Sequence, residues 1–380
     1  MTDRALRILA IANLPPFVLG GAENQTARMV DAWVDAGACV MVAGHALPEG
    51  SVAVGRNRVP TRRIKVWRGL GRAGRAASYF LSILGLVLSL RDKVDVVYCR
   101  GLGDAVVSIA VLKSLRLCRW PVLACPINAR GSGDVSYIRS IPGWRWIARR
   151  IDRHIEAINL INGLVEEELD SIGIRSPEIS RVPNGIALSA PVERGAPGLR
   201  RLVWTGRLEK QKGLDLLFIA LAALPSRLPE WRLRLYGDGP LKQELVSQLK
   251  SLGLRDLVTI HDSVPREAVR GLLADSDAFV LPSRYEGMSN SAIEAMEAGL
   301  PVICTRCGGI DDFVGSAAGW VCEPDSVESL RLALERALLA PPSDWLEKGV
   351  NARRIVERHL SIATTAGGNL AIMRRLAAGC

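Results

Sequence analysis

Short apolar runs rich in β-branched residues alternate with longer amphipathic stretches from the start of the chain, and this alternation restricts it to very few architectures. RILAIA (7 to 12), ACVMVAG (38 to 44), VDVVYC (94 to 99) and WPVLAC (120 to 125) read as strands, with helical patterns at 22–37, 74–91 and 103–116 between them. Strands that are apolar on both faces and separated by helices make a parallel sheet joined by right-handed crossovers. The Pro/Gly-rich stretch SAPVERGAPGL (189 to 199) interrupts the pattern. It then restarts with RRLVWTG (200 to 206), WRLRLYG (231 to 237), LVTIH (257 to 261), AFVLP (278 to 282) and PVICT (301 to 305). Helices are expected at 213–224, 241–252, 265–274, 290–298 and 325–340. The expectation is therefore α/β, with two Rossmann-like, doubly wound domains over 1–190 and 191–380 facing each other across a cleft. The last helix is free to pack back on the first domain. Ligands of such sheets bind at the carboxyl ends of the strands.

A chain of 380 residues is long enough for two such cores. Its eight cysteines (39, 99, 118, 125, 304, 307, 322 and 380) lie mostly in apolar runs, which suits reduced thiols and a cytoplasmic setting. Cys304 and Cys307 form a CxxC with no second pair and no nearby His, so core thiols are favoured over zinc or redox chemistry. Asp3 and a short apolar run make a poor signal peptide. The uncharged stretch 76–90 falls short of the ~20 residues a membrane-spanning helix needs.

Net charge is +10, and residues 56–75 carry Arg56, Arg58, Arg62, Arg63, Lys65, Arg68, Arg72 and Arg75 with no acid among them. Trp67 lies within this run, and a second cluster joins Arg139, Arg145, Arg149, Arg150 and Arg153 to Trp144 and Trp146. Such surfaces suit peripheral contact with anionic lipid at the inner membrane face. A solvated loop is the bland alternative, and nucleic acid ranks below both.

The candidate chemistry lies in the second half. In RLVWTGRLEKQKGLDLL, Gly206 ends a strand, Arg207 follows at once, and Lys212 and Gly213 precede a helix. Two cations and a helix amino terminus aimed beyond the sheet edge would suit a diphosphate, although a solvated basic turn has the same look. Gly237 and Gly239 in LYGDGP mark a tight turn or a close backbone approach, without a full dinucleotide-binding fingerprint. In LPSRYEGMSNSAIEAMEAGLPV, Glu286 sits in a loop after a strand and Glu294 about one turn inside the next helix, whose start is marked by Ser289, Asn290 and Ser291. Glu294 could accept from ribose hydroxyls and Glu286 could meet a sugar, while N–H groups near Ser289 and Asn290 could meet phosphate. Ser291 to Glu294 also fits a capping box, which would give Glu294 a purely structural task.

Taken together, GRLxxxKG (206 to 213), the glycine turn at 237–239, E-x7-E (Glu286, Glu294), EAMxxGxPV (294 to 302) and Gly308–Gly309 resemble the retaining glycosyltransferases of family 4. GGAE (20 to 23) and VPNGI (182 to 186) extend the likeness over nearly the whole chain. The resemblance implies a GT-B fold and a nucleotide-diphosphate sugar as donor, with a glycan or lipid-linked precursor as acceptor at the cytoplasmic membrane face. Arg207 and Lys212 would bind the diphosphate, Glu294 the ribose and Glu286 the transferred sugar. Gly20 and Gly21 would let both substrates approach, since a Cβ there would occupy space. It further implies front-side displacement with no tightly held metal or other cofactor, Arg207 and Lys212 stabilising the departing diphosphate.

The chain departs from the pattern after 121–125, where many relatives carry a His and this one has Pro126 to Asp134. Asp134 is the best polar substitute as an acceptor-hydroxyl contact, against a turn residue stabilising its own loop. The acid after Gly308–Gly309 is Asp312 or Asp311, and Ala187 stands where an Asp is common. A nucleotide-sugar epimerase of the same fold class, a basic nucleic-acid-binding protein and an inactive scaffold remain as alternatives; the two carboxylates argue against nucleic acid.

Overall fold

The computed structural model describes residues 4–379 apart from 68, 70, 130, 132 and 196–198, so Arg68 of the basic run, Arg130 and Ser132 of the 126–134 loop, part of the 189–199 stretch and Cys380 lie outside the described residues. The chain divides into two units, Met1–Ala187 with Ile362–Cys380, and Leu188–Ser361. In the first unit the order is β1 (Arg7–Ile11), α1 (Gly21–Asp35), β2 (Cys39–Gly44), β3 (Gly50–Val54), β4 (Asn57–Arg63), α2 (Gly71–Leu90), β5 (Val96–Arg100), α3 (Asp104–Ser114), β6 (Val122–Cys125), α4 (Asp134–Arg139), α5 (Trp144–His154), β7 (Ala157–Asn159), α6 (Leu164–Ser171) and β8 (Glu178–Ser180).

These strands form one sheet in the order β3-β4-β2-β1-β5-β6-β7-β8. Every ladder is parallel except the β3–β4 hairpin. The central strands β5 and β6 are apolar on both faces and buried, as a sheet covered by helices on each side requires. Trp33 of α1 is fully buried and meets Tyr98 of β5 edge-on, ring centroids 5.0 Å apart.

Two features of the basic segment differ from the expectation. Residues 57–63 are a strand lying between β3 and β2, and not a loop: Val59 and Thr61 point inward while Arg58 and Arg62 face out. Arg56 reaches Asp35 at 2.7 Å and Arg58 donates to Ser51 at 2.8 Å, so part of the charge is held locally and blunts the open sheet edge. The apolar helix is also longer than the uncharged stretch. α2 begins at Gly71, taking in Arg72 and Arg75, and by length and composition alone its 20 residues would cross a membrane. Ile83, Leu86, Val87 and Leu90 nevertheless pack into the core of the unit, leaving Leu81 and Leu88 exposed on the other side.

The second unit comprises β9 (Arg200–Thr205), α7 (Leu214–Ala222), β10 (Trp231–Tyr236), α8 (Lys242–Ser251), β11 (Val258–His261), α9 (Arg266–Ala274), β12 (Ala278–Leu281), α10 (Asn290–Glu297), β13 (Val302–Thr305), α11 (Asp311–Val314), β14 (Gly319–Cys322), α12 (Val327–Leu339) and α13 (Pro342–Ile355). Its six strands are all parallel, in the order β11-β10-β9-β12-β13-β14. The described part of the linker is well anchored here. Buried Glu297 accepts from the Ser189 N–H at 2.7 Å and pairs with Arg270 at 3.0 Å and Arg353 at 2.6 Å. Arg194 donates to the carbonyls of Leu273 and Ala298. Cys304, Cys307 and Cys322 are buried free thiols that burial holds above their usual pKa, and no acid, His or Cys cluster suited to a metal occurs among the described residues.

The chain then returns to the first unit as α14 (Ile362–Ala378). Thr365, Ala366, Leu370 and Met373 are buried, Thr365 Oγ1 lies 3.8 Å from Met29 Sδ of α1, and Arg375 pairs with Glu178 of β8. Burying one Leu or Met side chain contributes about 1.5–3 kcal/mol, so α14 carries a large share of that unit's stability. Truncation after Ser361 should therefore speed amide hydrogen exchange in α1 and β5 while leaving β9 to β14 protected. Unchanged exchange in α1 would contradict this.

Candidate active site

The second sheet winds outward from β9 through β10 to β11, then reverses to β12 on the other side of β9. At such a reversal the two crossovers leave a crevice at the strand ends. The loops after β9 and β12 border it, and they hold the matched residues: 206–213 and 282–289.

Glycines allow these loops to close on one another. Gly213 has φ +64°, and a Cβ there would lie 2.0 Å from the Pro282 carbonyl oxygen. A Cβ on Gly237 would lie 1.9 Å from the Gly206 oxygen, and one on Gly239 2.5 Å from that of Leu208. Gly237 and Gly239 are thus spent on backbone packing within the protein, the turn reading, which fixes the exit of β9 against that of β10. Leu208 N–H donates to Asp238 O at 2.9 Å, and Arg284 N–H to Gln211 O at 2.8 Å.

Within this frame Lys212 and Glu286 meet. Lys212 Nζ donates to Glu286 Oε1 at 2.6 Å, and Ser283 Oγ donates to the same oxygen at 2.7 Å. Glu286 is only 6% exposed, and its own N–H donates to Cys307 O at 2.7 Å. A buried carboxylate needs such compensation. Arg284, which no sequence motif marks, holds the two loops in register. Its guanidinium grips Asp215 at the start of α7 with two 2.8 Å bonds and donates to Lys210 O at 2.5 Å. Burial pushes the Asp215 carboxyl up, but the hydrogen bonds and charge of Arg284 outweigh it and hold that carboxyl below its ordinary value.

The other expected residues lie on the same loops with different partners. Arg207 follows Gly206 directly; its guanidinium is 74% exposed and pairs with Glu209 at 2.5 Å. Ser289 is the N-cap of α10, its Oγ accepting from Ala292 N–H at 3.3 Å, and Asn290 is the first helical residue. The Ser291–Glu294 capping box is therefore not used. Glu294 lies a turn inside α10 with Arg266 at 3.7 Å, and burial holds its carboxyl above the usual range against the pull of Arg266. Asp311, not Asp312, secures the Gly308–Gly309 turn by accepting from Gly308 N–H at 2.7 Å.

The remaining candidates belong to the first unit. Gly20 caps α1 with no side-chain cap, and Gly21 opens the helix. A Cβ on Gly20 would meet the movable Glu23 carboxylate at 2.3 Å. Asp134 accepts from the N–H groups of Leu102 at 2.6 Å, Ile127 at 2.7 Å and Asn128 at 3.3 Å. It thereby fastens the loops after β5 and β6 together, the structural side of its two readings. VPNGI packs on α1, where the Gln25 amide donates to Gly185 O at 2.9 Å and accepts from its N–H at 2.8 Å.

Residues 194–351 match the family of glycosyl transferases group 1, and residues 20–185 match the glycosyl transferase 4-like domain. A phosphatidylinositol N-acetylglucosaminyltransferase of Arabidopsis thaliana is 25% identical over 348 residues, 89% of this chain and 75% of that protein. Glycogen synthase of Mycobacterium tuberculosis is 28% identical over 213 residues, covering 55% of this chain and 50% of that one. A Salmonella typhimurium glycosyltransferase named for colanic acid biosynthesis is 26% identical over 63% of this chain, and again only 60% of its own length is spanned. Sucrose-phosphate synthase of Thermosynechococcus elongatus superposes over 99% of this chain and 100% of its own with a TM-score of 0.78 at 18% identity. Anabaena HepE, solved with UDP and glucose, gives 0.74 over 97% of this chain and 100% of its own at 18% identity.

Two substitutions test the frame. Gly213→Ala must strain a left-handed backbone and displace the Pro282 carbonyl, and should cost more than about 1 kcal/mol in chemical denaturation. Because the Asp215 pKa is depressed on folding, its contribution is complete above its unfolded value of about 3.9 and is lost as pH falls through the folded value. Asp215→Asn should accordingly lower the melting temperature at pH 7, with the gap to the parent narrowing on acidification below pH ~4.

Proposed function

This chain belongs to the glycosyltransferases of GT-B fold that join a 4-like domain to a group 1 domain, and from that premise we propose that it transfers a sugar, with retention of configuration, from a nucleotide diphosphate donor to a glycan or lipid-linked acceptor. The observation that carries the donor side is the Lys212–Glu286 contact of 2.6 Å at the winding reversal of the second sheet. Lys212 supplies a mobile point charge for the diphosphate, and Arg207, exposed at the exit of β9, supplies a planar fork beside it. Glu294 accepts from ribose hydroxyls, and Glu286 accepts from hydroxyls of the transferred sugar. The N–H groups of Ser289 and Asn290, at the start of α10, face phosphate oxygens. Gly20 and Gly21 leave room for the substrates on the first unit.

Leaving-group charge is met in this scheme by Arg207 and Lys212, so turnover should persist in EDTA. A panel of nucleotide sugars, scored by acceptor-dependent release of nucleoside diphosphate, separates transfer from epimerisation. Lys212→Ala would strand a buried carboxylate at a cost of about 3–5 kcal/mol, which makes Glu286→Gln the cleaner variant. Glu286→Gln should lower kcat at least about 100-fold while the affinity for nucleoside diphosphate changes little. Near-normal turnover would remove Glu286 from the site.

An inner-face membrane station for the acceptor is supported by the first unit's surface. Arg72 at the start of α2 donates to Ser140 at 3.3 Å, just ahead of α5, so the two basic, Trp-bearing segments adjoin. Trp67 is 51% exposed and Trp146 46%, and Arg145 and Arg150 lie over the α5 tryptophans at 5.3 and 4.9 Å. Exposed apolar rings set among cations suit an anionic interface. The protein should co-sediment with vesicles containing phosphatidylglycerol, less so at high salt; equal binding to neutral vesicles, or none, would refute this.

A further inference from the structure

We propose that the first unit contains an anion-binding pocket anchored by Arg100, and that the acceptor enters it through a phosphate or carboxylate group; this rests on the glycosyl-transfer reading above. The pocket holds about 240 Å³ at the carboxyl ends of β1, β2 and β5, where the first sheet reverses its winding. Its polar lining includes Asn13, Glu23, His45, Tyr79, Arg100 and Asp104. α1 and α3 both start on it, each with a glycine N-cap that provides no side-chain acceptor for the first N–H groups.

Among the described residues Arg100, which ends β5, has only neutral groups at hydrogen-bond distance, the Asp134 carboxylate acting on it from farther away. Nη1 lies 3.1 Å from Cys125 Sγ and 3.5 Å from the Tyr98 hydroxyl, Nη2 lies 3.4 Å from Asn184 Oδ1, and Nε is buried without a partner. The two oxygen contacts are long for a guanidinium and the sulfur is a weak acceptor, whereas the group carries five donors and is expensive to bury without an anion. Elsewhere in the chain Arg284 and Arg353, which are similarly enclosed, each grip a carboxylate. Positioning VPNGI through Asn184 accounts for one of the five donors only.

A second donor is set by the hydrogen-bond chain beside it. Asn13 Oδ1 accepts from Ala46 N–H at 3.1 Å, so its amide nitrogen is the group that faces His45 Nδ1 at 3.0 Å. Nδ1 is then the acceptor, and the neutral ring carries its proton on Nε2. Glu23 and Asp104, the latter accepting from the Tyr137 hydroxyl, add carboxylates suited to sugar or polyol hydroxyls. One enclosed guanidinium, one imidazole N–H and two carboxylates together fit a polyhydroxylated ring bearing a single oxyanion.

The test is calorimetric titration of the full chain with inorganic phosphate and, separately, acetate, in saturating UDP so that the donor side is filled. At least one anion should bind, and which one tells phosphate from carboxylate. Arg100→Gln should weaken it about tenfold and Arg100→Lys less, while Arg255→Gln, which removes an exposed cation of the second unit, leaves it unchanged. Binding of neither anion, undiminished binding in Arg100→Gln, or loss in Arg255→Gln instead would overturn the proposal. Should the Arg100 variants misfold, tungstate soaked into crystals of the parent protein must appear at the guanidinium, and density only elsewhere refutes it. Failure of every nucleotide sugar in the panel to be turned over would count against the glycosyl-transfer reading and leaves the anion result to be judged by itself.

Discussion

Carbonyl oxygens sitting where a side chain would begin are the constraint on which the second unit's edge depends. Gly213 against Pro282, and Gly237 against Gly206, bring the ends of β9, β10 and β12 closer than any Cβ permits. Because the loops are packed main chain on main chain, their side chains all emerge from one rigid shelf. The Lys212–Glu286 pair is a product of that shelf, and the double grip of Arg284 on Asp215 keeps the shelf from shearing. A cation already neutralised inside the protein costs less to hold in place than a bare one, and it keeps enough mobility to turn toward a stronger anion.

The sheets are legible in the sequence because their strands are buried on both faces and carry a continuous apolar signature, as Arg7–Ile11 and Ala278–Leu281 do. The β3–β4 hairpin escapes because both of its strands have a wet face, and four of the seven residues of Asn57–Arg63 are Arg or Pro. β14 escapes because it opens with glycine and its two middle residues, Trp320 and Val321, are only partly buried, so it carries no continuous buried apolar run. Gly71 to Arg75 extend α2 beyond its uncharged stretch because a helix on the surface of a unit tolerates arginine at its start, so charge alone marks no boundary.

Site residues are legible when their spacing is local, as in the loops around Lys212 and Glu286. Groups whose partners lie far along the chain are not. Glu297 gathers Ser189, Arg270 and Arg353 from three separate segments, and before folding it looks like any acid on an amphipathic helix. The same holds for Asp134, whose three backbone donors come from two loops. A short carboxylate with fixed amide partners is a fastener, and only coordinates distinguish it from a reactive group.

The return of α14 to the first unit has a consequence for biosynthesis. Its partners on α1 and β8 are synthesised long before Ile362, with the whole second unit in between. The early unit must wait with an apolar groove uncovered while the later one is made in full. Of these two units, the one started first is therefore finished second, and chaperone demand should fall on that interval.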